Sequence, residues 1–548
     1  MSTDSRINSK FVLLSSDMLM KCTILIVALM IIATQSPAAT YYMATSGSDS
    51  NAGSSSYPFL TLKRSMQAMT AGDTLIIRDG TYTGTSNQIT NSQYPPVSAT
   101  TWTTIKAEHD GGVTFDGQGT RDMLSVTFYS ATNCYWKFEG IIWCKAYSTV
   151  VYTSFCNYIK FLRCGAYDAG SGNTGIFIVG RGCNYVLLEG CYAWGSGRTA
   201  ISAYGNPTST THIIFRNCVG RIDRVSASDP IYTFGMYSVD YGLVQNCIAI
   251  DNDQTSYYLN NGGDWAGGFT TPSTDKDATN ITFENCIVLN SHIGGIFTSG
   301  NVYHSYDTTF RNCIVWDVSS KSAAVNINMF RGYRNVVDHC TFGVASMYTG
   351  SYGLNGWAGT STTRDSIVYN YIGDHCLYNM SEDYSCLFGN TQNFGDGSSA
   401  GSNTLTTTNP IYNAYTNTLG ALKYITRIES NSNLSGKGST GDIGANLTTL
   451  QGVSETLWGE IGYDSNTGVS MWPFPNENLI KIKMAAYTGG GVNGARGFCV
   501  GKSKDGSEQT LTKYIWEYLG NQIPDSIYAT QIPNTLSAPT GVSVQIID

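Results

Sequence analysis

Seven cysteines, at 164, 191, 218, 247, 286, 313 and 340, recur inside one short phrase, and their separations are 27, 27, 29, 39, 27 and 27 residues. The phrase is a hydrophobic run, then Asn-Cys, then more hydrophobic residues. It reads IIFRNCVG at 213–220, GLVQNCIAI at 242–250, ITFENCIVL at 281–289 and TTFRNCIVW at 308–316, with weaker copies at 158–167, 185–194 and 335–343. A steady period in the twenties predicts a solenoid, in which each repeat buries its apolar face only against its neighbours.

Within ITFENCIVL, Ile281 and Phe283 alternate with Thr282 and Glu284 as in a half-buried strand. Asn285 breaks the alternation because Cys286 follows it and is also apolar, so the chain turns there before a second strand. Neighbouring repeats carry Asn217, Asn246, Asn312, Gly190, His339 and Asp365 at that position. These are residue types that tolerate a left-handed backbone. Arg163 is the exception. KFEGIIW at 137–143 and DYSCLFG at 383–389 extend the ladder, so repeats run from about Ile141 to Cys386. Coils of this length with two or three short strands and few helix formers predict an all-β right-handed parallel β-helix. A β-propeller is the alternative, but its repeats are longer and contain hairpins.

Charged residues make up 13% of the 548-residue chain, the formal net charge is -8, and no Lys/Arg cluster is present. That balance argues against a nucleic-acid partner and suits a hydroxyl-rich surface facing carbohydrate. An acidic polysaccharide would then need a local basic patch or a bound cation. The fifteen cysteines lack CxxC or Cys/His spacing for zinc. At one per coil they are expected to stack reduced, as small buried apolar residues.

The apolar run 23–33, preceded by Lys21 and followed by SPAAT at 36–40, reads as a secretory signal cleaved near Ala38 or Ala39. A membrane partner enters only if that segment stays uncleaved. The expected organisation is a signal peptide at 1–39, the β-helix at 40–450, a C-terminal extension with two helices at 451–530 and a flexible tail at 531–548. The helices are expected at 476–484 and 511–519, with Thr510 as N-cap, docked on the last coil. A monomer, secreted or at the cell surface, is expected.

Residues 41–84 hold a strand, a Gly-Ser-Asp loop, Pro-Phe, an amphipathic turn from Leu60 to Met69, then Gly-Asp-Thr and Gly-Thr-Tyr. This resembles the N-terminal segment of pectate-lyase-like β-helix proteins, and the helix would cover the unpaired edge of the first coil. LSGKGSTGDIGANL at 434–447 resembles the closing segment of secreted bacterial β-helix proteins. The resemblance is specific for architecture, since lyases, epimerases, hydrolases and adhesins share it.

Function is expected where the period breaks. The 39-residue step between Cys247 and Cys286 contains Asp251, Asp253, Asp264, Asp275, Lys276 and Asp277, with Tyr257, Tyr258 and Trp265. Carboxylates that hold calcium beside a base would suit removal of a proton next to a uronate carboxylate. On that basis Asp251, Asp253 and Asp264 are the candidate metal ligands, and calcium is the candidate cofactor. Lys276 and His292 are the candidate catalytic pair. Tyr257, Tyr258 and Trp265 would contact sugar rings, and Arg224, in the irregular stretch 220–242, would form the other wall of a groove. The stretch is similar in layout to calcium-dependent pectate lyases, with Asp264 loosely at their Asp-Gly-Phe element. Residues 292–296, His-Ile-Gly-Gly-Ile, stand where that family has its acidic ligand group. Asp and Asn in such loops also make turns by bonding their own backbone. Two function classes therefore stand open: an acidic-polysaccharide lyase or hydrolase, and a non-catalytic carbohydrate-binding or adhesion protein.

Overall fold

The computed structural model describes residues 38–172, 174–224, 232–252, 267–273, 276–291, 294–298, 305–319, 329–346, 352–356, 361–411 and 420–520. The expected tail, nearly all of the signal segment and much of the long insertion lie outside them. Contacts divide the chain into two units, Met1–Ala39 and Thr40–Asp548, and the β-helix belongs to the second.

Each coil contributes strands to three parallel stacks. In one coil Val239–Gln245 belongs to the first stack, Ile248–Asn252 to the second and Gly267–Thr270 to the third. The next coil repeats this with Thr279–Glu284, Ile287–Ser291 and Ile296–Phe297. Corresponding strands pair in parallel register, Val244 on Phe283 and Val288 on Val315. Among the described residues the second stack contains 12 strands. A continuous core fills the coil interior, from Leu75 through Phe161 and Phe283 to Leu387. Helix α1, Leu62–Ala68, lies beside the first coil with Thr61 as its cap.

The Asn-Cys phrase folds as its chemistry dictates. Asn217, Asn246, Asn285 and Asn312 have φ of 54, 54, 56 and 54°, and Gly190, His339 and Asp365 share the left-handed conformation. Arg163 adopts it too, at φ 53°, and its guanidinium is held by Asp110 at 2.6 Å and Glu139 at 3.3 Å. The described cysteines are all buried and free. The seven ladder thiols from Cys164 to Cys340 each donate to a carbonyl of the coil before, Cys191 to Phe161 at 3.3 Å and Cys286 to Val244 at 3.3 Å. Burial pushes the thiols of Cys164 and Cys340 well above their usual range, which favours the protonated, unreactive form at those two positions.

The extension departs from expectation. Helices α2, Glu477–Ala485, and α3, Leu511–Tyr518, do form, with the Thr510 hydroxyl accepting from Lys513 N at 3.2 Å. They lie along the flank of the solenoid, however, not on its last coil. Met471, Trp472, Phe474, Ile480, Met484, Phe498, Leu511, Ile515 and Trp516 form one buried cluster with outward residues of the second stack, from Ile142 and Trp194 to Ile314 and Trp316. Strands of the second stack such as Ile141–Cys144 and Ile248–Asn252 are buried at every position where a half-exposed strand would alternate, because apolar side chains occupy both faces.

The chain reaches the flank by a strap that runs back along the asparagine corners. Asn312 Nδ2 donates to Asn446 O at 3.0 Å, Asn285 Nδ2 to Thr449 O at 2.7 Å and Asn246 Nδ2 to Gln451 O at 2.9 Å. Gln451 N returns a bond to Asn246 Oδ1 at 3.1 Å. The amides also chain to each other, Asn246 to Asn217 at 2.9 Å and Asn285 to Asn246 at 3.3 Å. One side chain thus holds the tight turn, the next coil and the strap together. Further back, Arg216 reaches Val453 O at 2.7 Å and Tyr463 O at 2.9 Å.

At the strap's start the corner residues are ionisable. His339 Nδ1 lies 2.8 Å from Asp338, its Nε2 lies 3.8 Å from Asp365, and Asp365 accepts from Ser439 N at 2.6 Å. Hydrogen bonding to Asp338 raises His339 above the usual imidazole range against the opposing effect of burial. Burial opposes ionisation of Asp338, but His339 and Arg364 bring its carboxyl down to about 2. A histidine raised in the folded state contributes stability that is whole below its unfolded pKa, about 6.5, and is lost as pH rises through the folded value. We therefore expect the wild-type protein to melt lower at pH 8.5 than at pH 6, and His339→Asn, which preserves the corner, to remove this histidine's share of that difference. An equal pH dependence in the variant would count against it.

Candidate functional site

In the third stack, period-2 alternation sets an inner and an outer column. Ile89, Leu124, Val151, Phe177, Ile201, Phe234, Phe269, Ile296, Phe330, Leu354 and Leu377 point into the core. One residue on, the paired registers align Thr90, Ser125, Tyr152, Ile178, Ser202, Gly235, Thr270, Phe297, Arg331, Asn355 and Tyr378 on the outer face. This face is half-exposed from Thr90 to Ile178 and buried from Ser202 to Phe297. Tyr204 stacks on Tyr237 at 4.7 Å, and the Arg331 guanidinium lies 5.5 Å from the Phe297 ring centre.

The open end of this face contains a cavity of about 470 Å³, lined by Gln88, Thr90, Asn91, Ser92, Arg121, Asp122, Ser125, Thr127 and Tyr147. Most of these side chains offer hydroxyls or amides. Asn91 Oδ1 accepts from Thr127 N at 2.7 Å, which fixes one wall. Asp122 Oδ1 accepts from Ser148 N at 2.7 Å, and burial raises its carboxyl above the ordinary range despite that bond. Arg121 donates to Gln118 Oε1 at 2.9 Å and has no acidic partner among the described residues. Tyr147 is 69% exposed, with its ring free to meet a sugar. The cavity therefore combines a guanidinium fork for a carboxylate, a carboxyl that burial raises above its ordinary range and a set of hydroxyl partners.

The residues singled out from the long step fall in different places. Asp253, Tyr257, Tyr258, Asp264, Trp265 and His292 lie outside the described residues. Asp251 is 1% exposed and left-handed at φ 53°. It accepts from Asn290 Nδ2 at 2.8 Å, Tyr514 Oη at 3.1 Å and Phe498 N at 3.4 Å, so the extension covers it. Lys276 sits at the turn into the first stack, 2.6 Å from Asp240 and 3.2 Å from Ser209 Oγ. Arg224 is exposed, and its guanidinium lies against Gly490 of the extension. The described members are thus not brought together. The cavity residues escaped the sequence reading because nearly all of them come from the coils ahead of the Asn-Cys ladder, where there is no period to break. The one available signal was an Arg-Asp pair, 121–122, directly before a strand.

No protein-family model and no curated protein matches the chain. Among solved structures it is similar to the pectate lyase Pel9A, with 15% identity over 75% of this chain and 97% of that one and a TM-score of 0.42. It is also similar to XylC solved with xylose, with 9% identity, 68% and 86% coverage and a TM-score of 0.43. A third is an alginate lyase from Paenibacillus sp. str. FPU-7, with 13% identity, 62% and 97% coverage and a TM-score of 0.36. All three scores fall below one half, so the architecture rests on the strand pairing itself. Its three parallel stacks, left-handed asparagine corners and N-terminal helix make the chain a parallel β-helix protein.

Proposed function

We propose that this is a secreted protein that acts on an acidic polysaccharide laid along the outer face of the third stack. The observation that carries the reading is the cavity at the open end of that face, where Arg121, without an acidic partner among the described residues, lines the same wall as Asp122, whose carboxyl burial raises. Arg121 would pair with a uronate carboxylate and Asp122 would exchange a proton with the sugar. The similarity to a pectate lyase and an alginate lyase is in keeping with this substrate class but does not argue for it. Calcium stays as a proposed cofactor. With Asp251 enclosed by three donors, its ligands would come from Asp253 and Asp264.

A second reading, binding without turnover, is favoured by one fact: among the described residues Asp122 is the one carboxylate lining the cavity, whereas glycoside hydrolysis uses two. Incubation with pectate, alginate and chondroitin, with calcium or with chelator, separates the readings by the absorbance of unsaturated products and by retention on immobilised polymer. Arg121→Ala is expected to weaken retention about tenfold, the scale of one charge-assisted contact. Asp122→Asn is expected to remove turnover while retention persists. Failure of the wild-type protein to bind any of the three polymers would sink the proposal.

A further inference from the structure

Where the third stack turns into the first, aromatic side chains form a ladder on the outside of the corner. Tyr135, Tyr158, Tyr185, His212 and Tyr241 occupy one position on successive coils, each with a left-handed backbone at φ between 50 and 59°. Their rings stack at 4.5, 5.0, 4.7 and 5.1 Å, with planes within 14° of parallel. The ladder stops at Tyr241, because the same position on the next coil is Asn280, also left-handed at φ 56°. Asn280 is exposed and its amide folds back, Nδ2 donating to Thr279 Oγ1 at 3.1 Å. Tyr241 is 43% exposed, whereas Tyr158 and Tyr185, stacked on both faces, are less so. One face of Tyr241 lies on His212, so its exposure comes from the other face and the hydroxyl edge.

The ladder therefore ends in an open ring beside a gap one rung high, about 4.8 Å. Trp458 of the strap stands perpendicular to the ladder's end, 5.6 Å from His212 and 6.0 Å from Tyr241, and forms a side wall. On the rung that bounds the gap, Asn280 Oδ1 and the half-exposed Thr282 hydroxyl have no partner among the described residues. The charges nearby do not suit an anion. Lys276 is tied to Asp240 at 2.6 Å, the next residue of the column is the exposed Asp307, and Arg334 beyond it lies over the Tyr306 ring at 5.0 Å. A neutral pyranose does suit the place, since its flat CH face stacks on an aromatic ring while its hydroxyls meet an amide and a hydroxyl. The ladder is already ordered, so such stacking costs little reorganisation. We propose that Tyr241, Trp458, Asn280 and Thr282 form a surface subsite for one pyranose ring of a neutral polysaccharide, the sugar continuing the ladder by one rung. The subsite shares no residue with the Arg121 cavity and does not depend on the reading given to that cavity.

Ligand-detected NMR titration of the full chain with cellohexaose, xylohexaose and mannohexaose, and with hexagalacturonate as the anionic comparison, tests this. At least one neutral hexasaccharide is expected to bind, and to bind more tightly than hexagalacturonate. Tyr241→Asn repeats the residue of the next rung and keeps the left-handed corner, so the melting temperature is expected to hold while affinity falls about tenfold, the scale of one ring's stacking. Tyr241→Phe should keep the affinity, because the ring face is unchanged. Thr282→Val, which leaves the ladder intact, should weaken binding about fivefold, the worth of one neutral hydrogen bond. Arg121→Ala should leave the titration unchanged. No binding of any neutral hexasaccharide, full affinity in Tyr241→Asn, or hexagalacturonate bound as tightly as the neutral sugars would each overturn the assignment. Loss of binding in Arg121→Ala would place the ligand in the other cavity and overturn it as well.

Discussion

Arg216→Met is expected to cost about 3–5 kcal/mol, the range for removing one member of a buried charge pair, and to loosen the strap. The Arg216 side chain is 0% exposed. Its guanidinium meets Glu189 Oε2 at 3.2 Å, Gln245 Oε1 at 3.0 Å and the carbonyls of Val453 and Tyr463 at 2.7 and 2.9 Å. Methionine fills much of the same space but supplies no donor, so two strap carbonyls and a mostly buried carboxylate lose a partner at once. The approach is close enough that a Cβ at Gly452, where φ is 79°, would fall 2.3 Å from Arg216 Nε. Urea unfolding measures the loss, and limited proteolysis should cut the variant within the strap far sooner than wild type. A change under about 1 kcal/mol, the worth of an exposed pair, would show that these bonds are not what holds the strap.

The residue just before each corner shows what the sequence held and what it concealed. Glu189, Arg216, Gln245, Glu284, Arg311, Asp338 and Arg364 stand in one register. Their near-alternating charge pairs down the stack, Arg311 with Glu284 at 3.8 Å and Arg364 with Asp338 at 3.1 Å. That column was visible in the aligned phrases, and so were the corner, the reduced cysteines and the period. The strap's attachment was not, because Asn285 and Thr449 are 164 residues apart and nothing local marks an amide that will bond to a distant carbonyl. The flank was concealed for the same reason. Ile287 and Leu289 read equally well as inward or outward until a second layer is known to cover them. For the site, reasoning from the break in period led to the long insertion, whereas the cavity on the described surface belongs to coils ahead of the Asn-Cys ladder. A solenoid presents the same outer face on every coil, so a groove can open anywhere along it without a mark in the repeat.

A chain ending at Leu447 is expected to lose solubility, and this is the largest effect we foresee. It keeps the coils through Phe388 but lacks the strap beyond residue 447, both extension helices and Trp472, whose Nε1 donates to Leu447 O at 2.6 Å. The outward side chains of Ile142, Tyr192, Trp194, Val219, Ile248, Ile250, Ile287, Leu289, Ile314 and Trp316 would then face water in one continuous stripe. Burying a large apolar side chain contributes about 1.5–3 kcal/mol, so a stripe of this length exposes far more than the few hundred Å² a soluble monomer ordinarily shows. Asn246, Asn285 and Asn312 would lose their strap partners together. The core inside the coils would be untouched, so the expected product is a folded solenoid that associates through its flank, not an unfolded chain. Light scattering and dye binding should report association with exposed apolar surface, while circular dichroism still shows β-structure. A monomeric, wild-type-stable product would mean that the extension does not protect the flank. Loss of the β-signal altogether would mean that the coils need the extension in order to fold.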